Sequence, residues 1–293
     1  MKRLLLLGCL TLLAGCSTTR REPKVSDRDL VPAGWDAKAA GDQVLAGLFK
    51  VTGPAVRGAD DARFVIVGDR AYVVAAVNER EAGADPHRPF VYAALSIVDL
   101  RNDSLLDMMT LARSEQAFAN ETLPVGACVA PRIRQVGPKT LRCWFRSEQP
   151  GTRMARAYHR DFDLGTLTFA DTIQKGRGAT PGEDDEDPRH PDMEAALASA
   201  AGRPEIEGLP TGGRFGGICY LGWQERPPVG GPDRGAFNID VSRDGRNWER
   251  KYRIETDRTF RNPSFAENSG AIWLSVTQGD EGRRERIMFG RLE

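Results

Sequence analysis

Residues 128–148, CVAPRIRQVGPKTLRCWFRSE, repeat the frame of an earlier stretch, residues 62–79, ARFVIVGDRAYVVAAVNE. The two copies are 69 residues apart with no gap inside them, and an arginine stands sixteen residues before the last glutamate of each. Self-similarity at a fixed period indicates a repeat fold. We therefore interpret each copy as a β-hairpin and the chain as a ring of such hairpins. The matching positions are Arg63 with Arg132, Val67-Gly68 with Val136-Gly137, Tyr72 with Leu141, and Glu79 with Glu148.

Short strands separated by turn residues fill most of the chain. The first hairpin, 63–79, turns at Gly68-Asp69, a favoured turn pair. The last unit lacks a fourth strand, which the apolar run 44–51 can supply, and this would close the ring without open sheet edges. The predicted fold class is all-β, a β-propeller of four-stranded blades with four repeats visible and five possible. The other predicted strands cover 89–100, 105–111, 128–148 (a hairpin), 156–164, 165–169, 215–225, 236–242, 248–254, 261–267, 271–278 and 285–292.

Composition excludes several classes of function. The chain has 293 residues, with 41 Lys+Arg and 41 Asp+Glu, so its formal charge is zero. A nucleic-acid surface needs an excess of cations, and we predict no nucleic-acid partner. The 31 glycines and 18 prolines suit short strands and turns better than a helical bundle. No Walker loop, Rossmann fingerprint or zinc-protease motif occurs, so we predict no cofactor and no metal.

The N-terminus has the pattern of a targeting segment. Met1-Lys2-Arg3 is a short basic region, and 4–13 is an apolar run too short for a membrane-spanning helix. Leu13-Ala14-Gly15-Cys16 resembles the lipobox of bacterial lipoproteins. The resemblance implies cleavage before Cys16, lipidation of its thiol and, because Ser17 rather than Asp follows, sorting to the outer membrane. The alternative is an ordinary secretory signal with a chance cysteine.

The propeller is predicted to span residues 34–293, after a polar tether over 17–33. Residues 174–213 break the strand pattern, and we interpret them as an insertion loop with a short Ala-rich helix near 193–201. The acidic run 183–187 inside this loop is expected to be solvated, with cation binding as the alternative.

Three cysteines, Cys128, Cys143 and Cys219, remain in the mature chain. Because three is an odd number, at most one disulfide can form among them. All three lie in apolar, strand-like runs, so we expect small buried hydrophobic residues rather than a bridge or a metal site.

The run 242–248, SRDGRNW, stands where a turn between the third and fourth strands of a blade is required. Asp can cap such a turn, Gly takes a backbone angle that other residues avoid, and Trp packs between sheets. The run resembles the Asp-box of sialidase-like β-propellers in its shortened form, S-x-D-G-x-x-W, which implies a structural role for Ser242, Asp244, Gly245 and Trp248. Residues 129–133 and the C-terminal stretch 261–293 also resemble this superfamily, over most of residues 60–293.

Four arginines are the candidate ligand-binding residues. Arg63 and Arg132 share one place in the repeat, while Arg214 and Arg261 stand near the start of the third and fourth units. If each begins an innermost strand, their planar guanidinium groups line one end of the central channel and can bind a carboxylate. Sialidases hold the carboxylate of sialic acid with three arginines, so the resemblance implies an anionic glycan. In the alternative, these arginines reflect repeat ancestry and are paired with carboxylates such as Asp60, Asp61 or Glu267.

Five carboxyl groups are the candidate catalytic residues. Glycoside hydrolysis needs two of them flanking the scissile bond. Three of these carboxyl groups stand at the ends of second strands. The other two precede Arg63, and the resemblance implies a general acid at that place. Sialidases also use a late tyrosine nucleophile, whereas the last tyrosine here, Tyr252, precedes the final blade. The candidates are Glu79, Glu148 and Glu225 at the strand ends, with Asp60 and Asp61 near Arg63.

Two function hypotheses of different classes remain, both for a lipid-anchored cell-envelope protein. In the first, the sialidase-like propeller binds or hydrolyses a glycan, including an anionic one, and any enzyme would be a glycoside hydrolase. In the second, it is a non-catalytic protein-interaction module. A weaker third is a glycosidase that is not a sialidase and uses two of the recurring carboxylates. An enzyme predicts unpaired arginine and acid side chains in one pocket with a raised carboxyl pKa, whereas a scaffold predicts arginines paired within and between blades.

Overall fold

Part of the chain lies outside the described structure. The predicted signal segment with Cys16, most of the tether and the acidic run 183–187 belong to that part. In the part that is described, neither helix is long and apolar enough to cross a membrane. The computed structural model describes residues 31–32, 34–79, 92–113, 116–118, 121–122, 127–148, 155–176, 191–227, 235–279 and 285–292.

Four antiparallel sheets and one two-stranded ribbon make up the strands of the described residues. The chain begins with α1 (Ala37–Gly47) and β1 (Phe49–Lys50). Blade I consists of β2 (Gly58–Val67), β3 (Arg70–Asn78), β4 (Tyr92–Asp99) and β5 (Ser104–Arg113), and the ribbon of β6 (Ala117–Phe118) and β7 (Glu121–Thr122). Blade II consists of β8 (Ala127–Gly137), β9 (Thr140–Glu148), β10 (Ala155–Asp163), β11 (Thr168–Phe169) and β12 (Gln174–Lys175). Helix α2 (Pro191–Ala201) precedes blade III, which consists of β13 (Ile206–Phe215), β14 (Ile218–Glu225), β15 (Phe237–Ser242) and β16 (Glu249–Ile254). Blade IV consists of β17 (Thr259–Asn268), β18 (Ala271–Gly279) and β19 (Arg286–Arg291).

Each blade is a meander in which the strands lie side by side in chain order. The first strands, β2, β8, β13 and β17, are the innermost, and contacts run from β13 to β17, from β17 to β2 and from β2 to β8. The architecture is therefore an all-β propeller, as predicted, with four blades among the described residues. The first hairpin turns at Gly68-Asp69, as predicted.

Blade IV takes its outermost strand from the N-terminus, as the sequence predicts. Phe49 pairs with Phe289 and Lys50 pairs with Met288, so β1 completes the sheet that ends with β19. Because β1 and β19 pair in one sheet, this blade joins the first strand of the propeller to the last one.

The prediction of a strand over all of 44–51 is wrong for its first half, which is the end of α1. The carboxylate of Asp36 caps this helix by accepting hydrogen bonds from the N–H groups of Lys38 and Ala39, at 3.0 and 3.1 Å. Ala40, Val44 and Leu48 recur every four residues, and all three pack into the core between blades III and IV. The buried face of a helix therefore accounts for the apolar run.

Apolar clusters between neighbouring blades form the core. Val73 of blade I packs in one cluster with Trp273 and Phe289 of blade IV, and Tyr72 faces the other way into a cluster shared with blade II. A third cluster joins blades III and IV. The alternation of β3 side chains between two clusters explains why that strand is buried almost throughout, with a buried sheet face on each side.

The insertion predicted over 174–213 is shorter than expected at both ends. Its helix is present as α2, but 174–175 belong to blade II, and 206–213 belong to β13, the innermost strand of blade III. The run of Pro and Gly in β13 hides the strand pattern, since those residues are typical of turns. Gly212 is needed for packing, because a Cβ there would collide with the carbonyl oxygen of Tyr220 in the neighbouring strand β14 and would lie 2.7 Å from Cε of Met193 in α2.

The ungapped match between the two hairpins holds only up to Gln135, because Val136 is an additional residue and Gly137 occupies the place of Val67, not that of Gly68. A register shift between Gln135 and Gly137 adds a bulge, so the second hairpin turns at Pro138-Lys139, one residue later than the match predicts. Beyond the turn, Leu141 therefore occupies the place of Ala71, not that of Tyr72. Likewise Glu148 corresponds to the last residue of β3, Asn78, and not to Glu79.

Candidate functional site

A bulge recurs in the innermost strand of all four described blades. Each contains one residue with a positive φ angle, and the strand then resumes its pairing. Because the four inner strands run side by side in the same direction, bulges at the same place in each strand lie at one level of the channel. The bulge residues with positive φ are Asp61 (51°), Ala130 (50°), Gly208 (73°) and Asn262 (51°).

The residue that resumes pairing after the bulge is polar in every blade. In blades I and II it is Arg63 and Arg132, as the repeat predicts, and they pair with Val74 and Trp144. In blades III and IV it is Thr211 and Ser264, which sequence reasoning missed. A signal was present, because a proline precedes three of these four residues: Pro131, Pro210 and Pro263.

The other two predicted arginines occupy different places. Arg261 precedes the bulge of β17, so it corresponds to Asp60 of blade I and not to Arg63. Arg214 lies three residues beyond Thr211, opposite Cys219 and next to the hairpin turn. The four predicted arginines therefore do not form one ring.

A cavity of about 150 Å³ opens where three of the inner strands meet. Arg63, Thr211 and Ser264 line it, so three of the four positions that follow a bulge converge on one space. The exposed surface of the lining is mostly polar, and no Asp or Glu occurs among the described residues that form it. The other lining residues are Leu197, Pro210, Gly212, Pro263 and Phe265.

Asp61 bonds both repeat arginines. Its Oδ1 lies 3.1 Å from Nη1 of Arg63 in the same strand, and its Oδ2 accepts a hydrogen bond from Nη1 of Arg132 in blade II at 3.3 Å. All three side chains are partly buried. One carboxylate on a bulge thus joins blade I to blade II.

Asp60 makes the corresponding contacts to blade IV. Its Oδ1 accepts hydrogen bonds from Nδ2 of Asn262 and Oγ1 of Thr277, each at 2.8 Å. Its Oδ2 lies 3.7 Å from Nη2 of Arg261, which is also paired with Glu285. Among the described residues, these contacts join three carboxylates (Asp60, Asp61, Glu285) to three guanidinium groups (Arg63, Arg132, Arg261), so the opposite charges in them are equal in number.

Glu79 and Glu225, at the ends of second strands, lie outside the cavity lining and are bound by other groups. Glu79 accepts a hydrogen bond from Tyr92 at 2.6 Å, which lowers the pKa of its carboxyl group. Burial raises this pKa, and Arg113 at 3.2 Å lowers it further. Burial would raise the pKa of Glu225, but bonds from Arg253, Asn238 and the N–H of Ala236 outweigh it and lower that pKa.

Lowered pKa values argue against a general-acid role for Glu79 and Glu225, because a general acid must hold its proton near neutral pH. The backbone of Glu148 pairs with Ala127 and Ala155 in blade II. Its side chain lies outside the described part of the chain.

The turn after β15 has the hydrogen bonds that its sequence predicts. Oδ1 of Asp244 accepts the N–H groups of Arg246 and Asn247 at 2.9 and 2.8 Å and the hydroxyl of Ser242 at 3.0 Å, and these bonds lower the pKa of Asp244. Gly245 has φ 68°, and Nε1 of Trp248 donates to its carbonyl. These residues shape a turn and do not reach the cavity lining.

Blades I and II use the same kind of turn without the full motif. Asp99 accepts the N–H of Arg101, and Asp163 accepts the N–H groups of Gly165 and Thr166, at 2.8 to 2.9 Å. An aspartate therefore caps the turn after the third strand in three blades. Across the described residues, no group of three or more His, Cys, Asp or Glu side chains is placed to hold a metal ion.

Comparisons with known proteins identify no family. No family model and no curated protein matches the chain. Its fold is similar to that of a solved protein described as a glycoside hydrolase, at 9% identity over 88% of this chain and 96% of that one, with a TM-score of 0.49. It is similar to a GH43_1 enzyme from Xanthomonas citri complexed with xylose, at 9% identity, 86% and 93% coverage and a TM-score of 0.45.

A third similar structure is an exo-1,5-alpha-L-arabinanase from a bovine ruminal metagenomic library, at 11% identity, 81% and 94% coverage and a TM-score of 0.44. All three are glycosidases by their descriptions. With TM-scores below 0.5, these likenesses concern the fold alone and not the chemistry of the site.

Proposed function

We propose that the protein is a carbohydrate-binding propeller and that a neutral sugar occupies the cavity at Arg63, Thr211 and Ser264. The observation that carries this proposal is the convergence of three equivalent polar residues on one space. Oγ1 of Thr211 donates a hydrogen bond to the carbonyl of Pro263 at 2.6 Å, so it can accept one from a sugar hydroxyl, and the guanidinium group of Arg63 can donate one. Pro210, Pro263 and Phe265 offer apolar contact.

The charge balance favours a neutral sugar over an anionic one. A sugar carboxylate would need guanidinium groups free to bind it bidentately. Arg63 and Arg132 already bond Asp61, and Arg261 bonds Asp60 and Glu285. An anionic ligand would have to displace these carboxylates.

Binding without hydrolysis is the activity that the cavity supports best. Hydrolysis of a glycosidic bond needs two carboxyl groups across that bond. The described cavity lining has none, and Asp60 and Asp61 beside it are engaged by hydrogen bonds and ion pairs.

The test is a calorimetric screen of the purified full-length protein with neutral sugars (glucose, galactose, xylose) and acidic ones (N-acetylneuraminic acid, galacturonic acid). We expect a neutral sugar to bind and Ser264→Ala to weaken it. Arg63→Gln should also weaken binding, whereas Asp61→Asn, which breaks the same ion pair without lining the cavity, should weaken it less. Ser104→Ala on β5 is the matched serine control. Reducing-sugar release from the matching disaccharides would reveal hydrolysis.

The interaction-module hypothesis has one observation in its favour, because the arginines are paired between blades as a scaffold requires. Absence of binding by every sugar, together with destabilisation by Arg63→Gln and Asp61→Asn alike, would favour this second function. A stabilising neutral sugar that loses its effect in Ser264→Ala would contradict it.

We also propose that Cys16 carries a lipid that anchors the protein in the cell envelope. The support is the sequence Leu13-Ala14-Gly15-Cys16 after a basic and apolar segment. Cys16→Ser should move the protein from the membrane fraction to the soluble fraction and abolish incorporation of labelled palmitate. Cys9→Ser, inside the apolar segment, is the control and should change neither.

A further inference from the structure

The bulge of blade III is one residue longer than the other three. Two residues separate the flanking paired positions in blades I, II and IV, for example Asp61 and Ala62 between Asp60 and Arg63. In blade III, three residues, Gly208, Leu209 and Pro210, lie between Glu207 and Thr211. Gly208, with φ 73°, starts this longer bulge.

The additional residue is apolar and directly precedes the cavity lining in the chain. Leu209 is 79% exposed, the largest value among the exposed large hydrophobic residues of the described chain. The next three residues, Pro210, Thr211 and Gly212, all line the cavity. Leu209 is therefore an exposed apolar residue outside the core and next in the chain to three lining residues.

The size of the cavity limits what it can hold. Pockets for drug-sized ligands typically measure about 300–1,000 Å³. This cavity measures about 150 Å³, so it has room for one sugar ring and not for two. The remainder of a longer ligand has to extend out of the cavity through its opening.

We infer that the cavity binds the terminal residue of a glycan and that Leu209 packs against the apolar C–H face of the second residue. The inference rests on the proposed function and deepens it, because it names a residue that selects for chain length. Leu209 then loses its exposure to water only when a second sugar is present, which gives it a measurable role in disaccharide binding.

The test compares each monosaccharide with a disaccharide that ends in it: glucose with cellobiose, xylose with xylobiose, and galactose with lactose. Titration calorimetry of the full-length protein should show a disaccharide binding about fivefold more tightly than its monosaccharide, as expected for covering part of one leucine. Leu209→Ala should remove this gain and leave the monosaccharide affinity unchanged. Leu106→Ala is the matched control, since Leu106 is 49% exposed on β5.

The outcomes separate this inference from the proposed function. If a monosaccharide binds and Ser264→Ala weakens it, but Leu209→Ala leaves the disaccharide gain intact, the function stands and the role of Leu209 is wrong. If the matching trisaccharide gains a further factor that Leu209→Ala does not change, an extended groove replaces the one-ring cavity. If no neutral sugar binds the wild-type protein, both proposals fail together.

Discussion

Arg63 and Arg132, which share one place in the repeat, bond the two oxygens of a single carboxylate, that of Asp61. Arg63 does so within its own strand at 3.1 Å, and Arg132 does so from the neighbouring blade at 3.3 Å. Asp61 has φ 51°, so the bulge itself brings the carboxylate between the two guanidinium groups. The repeated arginines are thus first of all a link between blades I and II, and only Arg63 also lines the cavity.

Asp61→Asn is expected to lower the free energy of unfolding by about 1–2 kcal/mol, because two partly buried arginines lose their counter-charge. Asparagine tolerates a positive φ angle, so the substitution isolates the charge from backbone strain. Urea denaturation of both proteins measures the effect. Asp69→Asn, which removes a carboxylate from the exposed pair with Arg101, is the control and should cost less. Equal effects of the two substitutions would contradict a special role for Asp61.

Removal of α1 together with β1 is expected to destabilise the propeller far more than removal of residues 1–30. A chain starting at residue 52 loses Leu48 and Val51, both buried, and the strand that pairs with β19. At about 1.5–3 kcal/mol for each buried side chain, the loss exceeds what most domains can tolerate. A chain starting at residue 31 should keep a cooperative thermal transition, and one starting at residue 52 should lose it. Retention of the transition by the shorter chain would show that closure is dispensable.

Asp244 is expected to make stability depend on pH in the acid range. Its hydrogen bonds hold the pKa below the ordinary value of 3.8 in the folded protein. The carboxylate therefore contributes stability above the unfolded pKa, and this contribution is lost as the pH falls below it. Asp244→Asn should reduce the drop in Tm between pH 5 and pH 3. Asp257→Asn, at an exposed position, should leave the drop unchanged, and identical profiles for wild type and Asp244→Asn would refute the prediction.

The three described cysteines are expected to be unreactive in the native protein. Cys128, Cys143 and Cys219 are buried and in no disulfide, as the sequence predicts. Burial raises the pKa of Cys128 to about 12, so almost no thiolate is present at pH 8. In a chain starting at residue 31, Ellman's reagent should titrate three thiols in guanidinium chloride and none within minutes in buffer. A thiol count below three in denaturant would indicate a disulfide.

The sequence predicted the elements whose signal is local. Alternating apolar residues and the Gly68-Asp69 turn were enough for the first hairpin, and SRDGRNW was enough for the turn after β15, because each depends on neighbouring residues alone. The inner strand of blade III was missed because it does not have an alternating apolar pattern. Its Gly208 and Pro210 belong to the bulge, and Gly212 allows close packing against β14, so the strand has residues that are typical of turns.

By itself, then, the sequence determined a propeller of four-stranded blades, the completion of blade IV by β1 and the equivalence of Arg63 and Arg132. Only the tertiary structure decided what those arginines do. Their partner Asp61 lies in blade I and binds an arginine of blade I and one of blade II. The cavity is lined by Arg63, Thr211 and Ser264, which are up to 201 residues apart in the sequence. An ion pair between blades depends on where the bulges of two different strands place their side chains around the channel. The spacing of residues along one strand does not determine this arrangement.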